Sequence, residues 1–207
     1  MVFNEQEGKT MDHSPHFKAG DLLLVIDVQI DFCPGGALPI NAGNAVVPVL
    51  NTWIRHAHKQ GLPLYFSRDW HPRNHISFEE NNGHWPPHCV QDTAGARFHP
   101  DLDMPDEAII VTKGTRFDQD QNSAFDQTGL ADWLHRLGIK RIFVGGLALD
   151  VCVRATVLDS LEAGFETFVI ETGTLPVTAE GGKKATAEML NAGAQFIRQG
   201  PKSVNES

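Results

Sequence analysis

Short runs of aliphatic residues with no polar position on either face recur along this chain, and they limit its folding choices more than any other feature. Leu22-Leu23-Leu24-Val25-Ile26 and Ile142-Phe143-Val144 are apolar throughout, as strands are when helices cover both faces of a parallel sheet. Segments with helical spacing lie between such runs. Strands are predicted over 22–28, 62–67, 108–112, 141–144, 167–170 and 195–197, and helices over 46–59, 130–137, 151–163 and 184–192. Alternation of this kind specifies an α/β fold: three layers, doubly wound, around a mainly parallel six-stranded sheet of Rossmann-like type. At 207 residues the chain is long enough for one domain with an ordinary core. That domain is expected over 19–200. Charges, Gly, His and Pro without periodicity mark loose tails at 1–18 and 201–207.

Charge narrows the partners. With 17 Lys and Arg against 26 Asp and Glu, the formal charge is −9, which leaves no basic footprint for phosphate backbones or anionic lipid. No apolar run approaches the roughly 20 residues that cross a bilayer, and residues 1–18 lack the apolar core of a signal peptide. Neither nucleic acid nor membrane is expected as a partner, and the expected compartment is the cytoplasm. Three scattered cysteines, Cys33, Cys89 and Cys152, are too few for a disulfide framework.

In an open parallel sheet, ligands bind beyond the carboxyl ends of the strands. Asp27 closes the first predicted run, Asp69 and Lys113 follow the second and third, and Cys152 lies beyond the fourth, after Gly145-Gly146, so all four are expected along one edge. Cys152 is expected to open the helix that begins near 151, where the positive end of the helix dipole would lower its thiol pKa. Taken singly, each has a plainer reading: a buried small hydrophobe for Cys152, a cap or turn residue for Asp27, a solvated amine for Lys113. Taken together, they form a unit in which a carboxylate accepts the thiol proton and returns it to a leaving amine while the ammonium holds the charges.

The segment 69–105 breaks the strand–helix rhythm and carries five of the ten histidines, and long polar loops in compact domains are usually functional. Asp69 and His71, two apart in extended chain, point the same way. A distant histidine returned by the loop can complete a mixed O/N site for zinc, iron or manganese with positions open for water or substrate. His84 and His99 are read as surface hydrogen-bonding groups, and Cys89 as packing behind His88. The plainer reading of the loop is surface polarity.

Longer motifs then identify a family. Asp27-Val28-Gln29-Ile30-Asp31-Phe32-Cys33-Pro34-Gly35-Gly36, Asp69-Trp70-His71-Pro72, Asn74-His75-Ile76-Ser77-Phe78, Trp85-Pro86-Pro87-His88-Cys89, Thr112-Lys113-Gly114 and Cys152-Val153-Arg154-Ala155-Thr156 together resemble the nicotinamidase/pyrazinamidase members of the isochorismatase-like cysteine hydrolases. The resemblance runs from about 22 to 197. It implies an isochorismatase-like fold and hydrolysis of nicotinamide to nicotinate and ammonia (or of pyrazinamide to pyrazinoate), a step of NAD salvage. It implies Cys152 as nucleophile, Asp27 as proton shuttle, Lys113 as charge support, and an oxyanion site at the N–H groups of Ala148 and Cys152 beside a cis Leu147–Ala148 peptide. One divalent metal ion per chain, zinc before manganese or iron, is implied on Asp69, His71 and His88, with His75 as a candidate fourth ligand. Phe32 and Trp85 match positions that sandwich the substrate ring. The implied partner is a small-molecule amide, and a homo-oligomer is left open.

Two stretches depart from the family pattern. Asn122-Ser123-Ala124-Phe125 stands where many relatives have Tyr-Ser-Gly/Ala-Phe, and Ala148-Leu149-Asp150-Val151-Cys152 where they have Ala-Thr-Asp/Glu-Tyr/Phe-Cys. Asn122 and Val151 thus replace two pocket-side aromatics. The competing readings are another amide or carbamoyl hydrolase of the same superfamily, a non-catalytic metal- or ligand-binding relative, and a redox sensor using Cys89 and Cys152.

Overall fold

Six strands, β1 (Asp21–Ile26), β2 (Leu64–Asp69), β3 (Ile109–Lys113), β4 (Arg141–Leu147), β5 (Glu166–Leu175) and β6 (Gln195–Ile197), pair in parallel in the order β3-β2-β1-β4-β5-β6. The computed structural model describes residues 16–201. Strand order reverses between β1 and β4, the switch point at which doubly wound sheets leave a crevice for ligands. Every residue of β1 is buried, which accounts for its unbroken apolar sequence: it is central and covered on both faces.

Side-chain alternation divides those apolar residues between two cores. Leu23, Val25, Phe66 and Phe143 face α1 (Val46–Lys59), which contributes Val46, Leu50, Trp53, Ile54 and Ala57 to the same cluster. Leu22, Leu24, Ile26 and Ile142 face the opposite way. There they meet Leu130 and Leu134 of α2 (Leu130–Arg136), Val157 of α3 (Arg154–Glu162) and Met189 of α4 (Ala179–Ala192). One helix on one face and three on the other complete the three layers.

Several boundaries differ from expectation for identifiable reasons. Phe17, placed by its sequence in the N-terminal tail, is buried and packs edge-on against Trp53 and Phe143 with centroids 5.8 and 4.9 Å away. Together with Lys18, whose N–H donates to Asp21 Oδ2, it belongs to the domain. Residues 1–15 and 202–207 of the expected tails lie outside the described residues. α4 starts five residues before the predicted 184 because Thr178 caps it, its hydroxyl accepting from Gly181 N–H at 3.0 Å; that bond offsets the weak helix propensity of Gly181 and Gly182. β4 continues through Gly145 and Gly146, where a side chain on Gly146 would run into the backbone of Ile26 in β1.

From 70 to 108 the chain has no strand or α-helix. It folds back on itself through isolated bridges between His71 and Val90 and between Phe78 and Trp85. Among the described residues no helix is long and apolar enough to cross a membrane, and all three cysteines are free and buried.

Candidate active site

Parallel pairing brings the polar strand ends together. Asp69 and Lys113, last residues of β2 and β3, are register partners, and Asp27 follows β1 directly. Lys113 Nζ lies 2.8 Å from Asp27 Oδ2, 2.5 Å from Asp69 Oδ1 and 3.5 Å from Cys152 Sγ. All four side chains are buried, Asp27 and Lys113 completely. Asp27 Oδ1 accepts from Ser67 Oγ at 2.7 Å, whereas Oδ2 has its ion-pair contact but no hydrogen bond. That leaves one carboxylate oxygen free to take a proton.

Burial and neighbouring charge set the protonation states. Burial pushes the Asp27 carboxyl above its ordinary value, a shift that Lys113 opposes and Asp69 reinforces. Burial would also raise Asp69, but Lys113 and then His71 override it and hold Asp69 ionised. For Lys113, burial favours the neutral amine, yet Asp27 and Asp69 outweigh it and keep the ammonium well above its usual range. Cys152 moves opposite to the helix-dipole expectation. Burial, countered by Lys113 but reinforced by Asp27 and Asp69, pushes its thiol well up. The cysteine also does not open an ordinary helix; it sits inside a π-helical turn, Leu149–Val153, that precedes α3. Cys152 therefore rests as a thiol, and an Asp27 oxygen lies within 4.8 Å of its sulfur.

Beside this group stand Asp69, His71 and His88, whose ligand atoms all lie within 4.8 Å of one another. Backbone carbonyls orient both imidazoles: His71 Nδ1 donates to Gly114 O at 2.9 Å and His88 Nδ1 to Pro86 O at 2.8 Å, the second anchor typical of metal-ligating histidines. Each Nε2 is left with its lone pair. Burial lowers the His71 pKa to about 4 despite the pull of Asp69, so the ring is neutral at ordinary pH. Gly114 is required here, since its φ is +67° and a Cβ would run into the His71 ring. These donors fit one divalent ion with open positions. His75 stands outside the group. It stacks on His71 with centroids 4.2 Å apart, and its Nδ1 bonds to Ser77 Oγ at 2.7 Å.

A cleft of about 500 Å³, open mouth included, joins the two halves. Phe32, Trp85, Asp69, His71, His88, Ala148 and Cys152 line it, as do Asn122 and Val151. The Leu147–Ala148 peptide is cis, as the resemblance implies. His84 is exposed, His99 Nδ1 accepts from Asp101 N–H near the surface, and Cys89 is buried in the core behind the cleft.

Three supporting residues carry no role in the sequence reading. Gln29 grips the peptide of Asp69 from both sides, accepting from its N–H at 2.8 Å and donating to its C=O at 2.7 Å, and also donates to Ala96 C=O at 2.8 Å. Asp31 accepts from Cys89 N–H at 2.7 Å, which fixes the chain next to His88. Asp150 accepts from Val177 N–H at 2.7 Å, tying the cysteine turn to the segment before α4. For Gln29 and Asp31 a signal existed: polar residues within the otherwise apolar approach to Phe32.

The isochorismatase domain model matches residues 21–199. The nicotinamidase of Escherichia coli is 38% identical over 195 residues, covering 83% of this chain and 92% of that protein. Among solved structures, the pyrazinamidase of Pyrococcus horikoshii in complex with zinc superposes with a TM-score of 0.84 at 41% identity, covering 87% of this chain and 99% of that one. PnC1 from L. infantum in complex with nicotinate superposes at 0.82 and 35% identity, covering 89% and 96%. All six strands and every residue of the cleft fall inside the matched span, and the chain belongs to the isochorismatase family.

Proposed function

We propose that this protein is a metal-dependent cysteine amidohydrolase that converts nicotinamide to nicotinate and ammonia, and pyrazinamide to pyrazinoate, as a step of NAD salvage. One observation carries the reading. Cys152, held in a buried group with Asp27 and Lys113, and an Asp69–His71–His88 donor set line a single cleft together with Phe32 and Trp85. The relatives support it: one is a nicotinamidase, one a pyrazinamidase holding zinc, and one holds nicotinate.

In this reading Asp27 Oδ2 takes the proton of Cys152 and the thiolate attacks the carboxamide carbon. The carbonyl oxygen becomes an oxyanion facing the N–H groups of Ala148 and Cys152, and one such donor is worth roughly 10²-fold or more in rate. As the tetrahedral adduct collapses, the C–N bond breaks and Asp27 returns its proton to the nitrogen, releasing ammonia and leaving a thioester. Water then attacks the thioester and gives its proton to Asp27; the C–S bond breaks, nicotinate leaves, and the sulfur is reprotonated. Lys113 remains charged throughout and offsets Asp27, Asp69 and the thiolate. Phe32 and Trp85 supply flat apolar surface for the ring. A divalent ion on Asp69, His71 and His88 supplies, when bound, a Lewis-acidic site for the ring nitrogen, which selects pyridine and pyrazine carboxamides over aliphatic ones.

Ammonia release from nicotinamide, pyrazinamide and acetamide, before and after chelation and with zinc or manganese restored, tests the proposal. Metal-dependent release from the two ring amides alone is expected. Release that ignores the metal would remove the ring-selecting role of the ion, and no release from any amide would overturn the hydrolase reading.

A further inference from the structure

The Asp69 carboxylate serves two neighbours, one on each oxygen. Oδ1 meets Lys113 Nζ at 2.5 Å, and Oδ2 faces His71 Nε2 at 3.8 Å. It also belongs to a second buried donor group, in which an oxygen of Asp27, an oxygen of Asp69 and Sγ of Cys152 lie within 4.8 Å of one another. Two carboxylates and a thiolate are a ligand set for a divalent ion that accepts sulfur. The Asp27 oxygen aimed at this group is fully buried and has no hydrogen bond of its own. What fills the group is the Lys113 ammonium, at 2.8 Å from Asp27 Oδ2 and 3.5 Å from Cys152 Sγ. Hydrolytic sites with two metal ions hold two cations about 3.5–4 Å apart, and a carboxylate bearing one cation on each oxygen is the element that joins such a pair.

We infer that Lys113 occupies the position of a second cation: the centre is a two-cation site bridged by Asp69, with one position for an exchangeable ion and the other filled by the chain's own ammonium. Replacing that ammonium with an apolar side chain opens a metal site made of Asp27, Asp69 and Cys152. This inference rests on the proposed ion at Asp69, His71 and His88. The chemistry gives the arrangement a purpose. An ion bonded to Sγ would use the sulfur lone pair needed for attack on carbon, whereas an ammonium forms no coordinate bond and leaves the sulfur nucleophilic. A buried four-carbon stem also cannot exchange with thiophilic ions from solution. Lys113 thus supplies the second positive charge while keeping metal off the nucleophile.

The probe is cobalt(II), titrated into the metal-stripped full-length chain. Bound cobalt is counted after gel filtration, and thiolate-to-cobalt charge-transfer absorption is followed in the near ultraviolet. Wild type is expected to hold about one ion without a thiolate band, and Lys113→Met about two ions with the band, since a folded ligand set binds when its occupant is removed. The band should vanish in the double variant Lys113→Met/Cys152→Ser, which excludes Cys33 and Cys89 as its source. A thiolate band in wild type that Cys152→Ser abolishes overturns the inference, because Lys113 then fails to exclude the ion. One ion and no band in a folded Lys113→Met chain, checked by circular dichroism and repeated in Lys113→Ala, overturns it as well. Should neither variant fold, the wild-type titration decides alone: exclusion of cobalt from the sulfur upholds the inference and such a band refutes it. Wild type with no bound cobalt defeats the Asp69–His71–His88 reading, and the inference that rests on it, separately from any hydrolysis result.

Discussion

Gln29→Ala perturbs the site without touching any atom of the Asp27–Lys113–Cys152 group. The amide makes three buried hydrogen bonds of 2.7 to 2.8 Å, to Asp69 N–H, Asp69 C=O and Ala96 C=O. Truncation leaves all three backbone groups unpaired away from solvent, at a cost of about 1–2 kcal/mol each once partial relaxation is allowed, or roughly 3–6 kcal/mol in total. Against a total stability on the order of 5–15 kcal/mol, that is a large fraction. Catalysis should fall too, because the peptide that carries Asp69 loses its clamp and the carboxylate must still serve Lys113 and His71 at once. A tenfold loss in kcat/KM requires only about 1.4 kcal/mol of misplacement, so a loss of at least that size is expected with metal saturating. Urea unfolding at unchanged m-value measures the first effect and steady-state hydrolysis the second. Gln29→Leu fills the volume but restores none of the bonds, and it should behave like the alanine variant. Gln29→Glu keeps the acceptor for Asp69 N–H but turns an oxygen toward two carbonyls, so it should be no better. A stability change below about 1 kcal/mol in both the Ala and Leu variants would show that the clamp does not carry the load its geometry assigns.

Further expectations are more direct. Cys152→Ala should lower kcat by on the order of 10⁴-fold or more with little change in Tm, since a lost nucleophile removes the reaction path and not the packing; near-wild-type turnover would reassign the nucleophile. Asp27→Asn should keep ligand affinity, measured by calorimetry, and lose turnover, because the amide replaces the free carboxylate oxygen that takes the thiol proton. Metal analysis should return about one ion per chain in wild type and far less in His71→Ala, as removal of a ligand from a small donor set costs much of the affinity. Gly114→Ala combines a left-handed backbone with a collision against the His71 ring; the φ alone costs about 1–2 kcal/mol, so both thermal stability and metal content should drop.

Sequence pattern located the sheet and most of its helices because central parallel strands have to be apolar on both faces, and that requirement is written in consecutive residues. Asp27, Asp69 and Lys113 were legible for a related reason: a charged residue at the end of such a run has nowhere to point but the carboxyl edge. The direction of the Cys152 shift was not legible. It depends on burial and on two carboxylates brought from other strands, neither of which the local helix signal contains. The first turn of α4 was hidden by two glycines whose weak propensity Thr178 offsets. Phe17 resembled tail because its partners, Trp53 and Phe143, are far away in sequence. Gln29 was given no role, because its partners are backbone groups, and backbone partners leave no trace in side-chain patterns.

The register of the sheet links the core to the chemistry. β2 and β3 pair with Tyr65 opposite Ile109 and Asp69 opposite Lys113, so one alignment both seats Tyr65 and Val111 in the core and presents the carboxylate to the ammonium. Side chains alternate faces with a period of two. Sliding β3 by one residue would therefore move Thr112 or Gly114 to the position opposite Asp69 and turn Val111 out of the core. The slip would leave Asp27 and Asp69, both without appreciable solvent contact, with no cation between them, and breaking a buried ion pair by removing one partner costs about 3–5 kcal/mol. The site thus penalises the same error that the core penalises. In β3, where Ile109 and Ile110 are exposed and only Val111 and Lys113 are buried, apolar packing alone offers few residues to hold the register. There the Lys113 ion pairs supply much of the specificity, so the strand that gains least from the core is the one aligned by the active site.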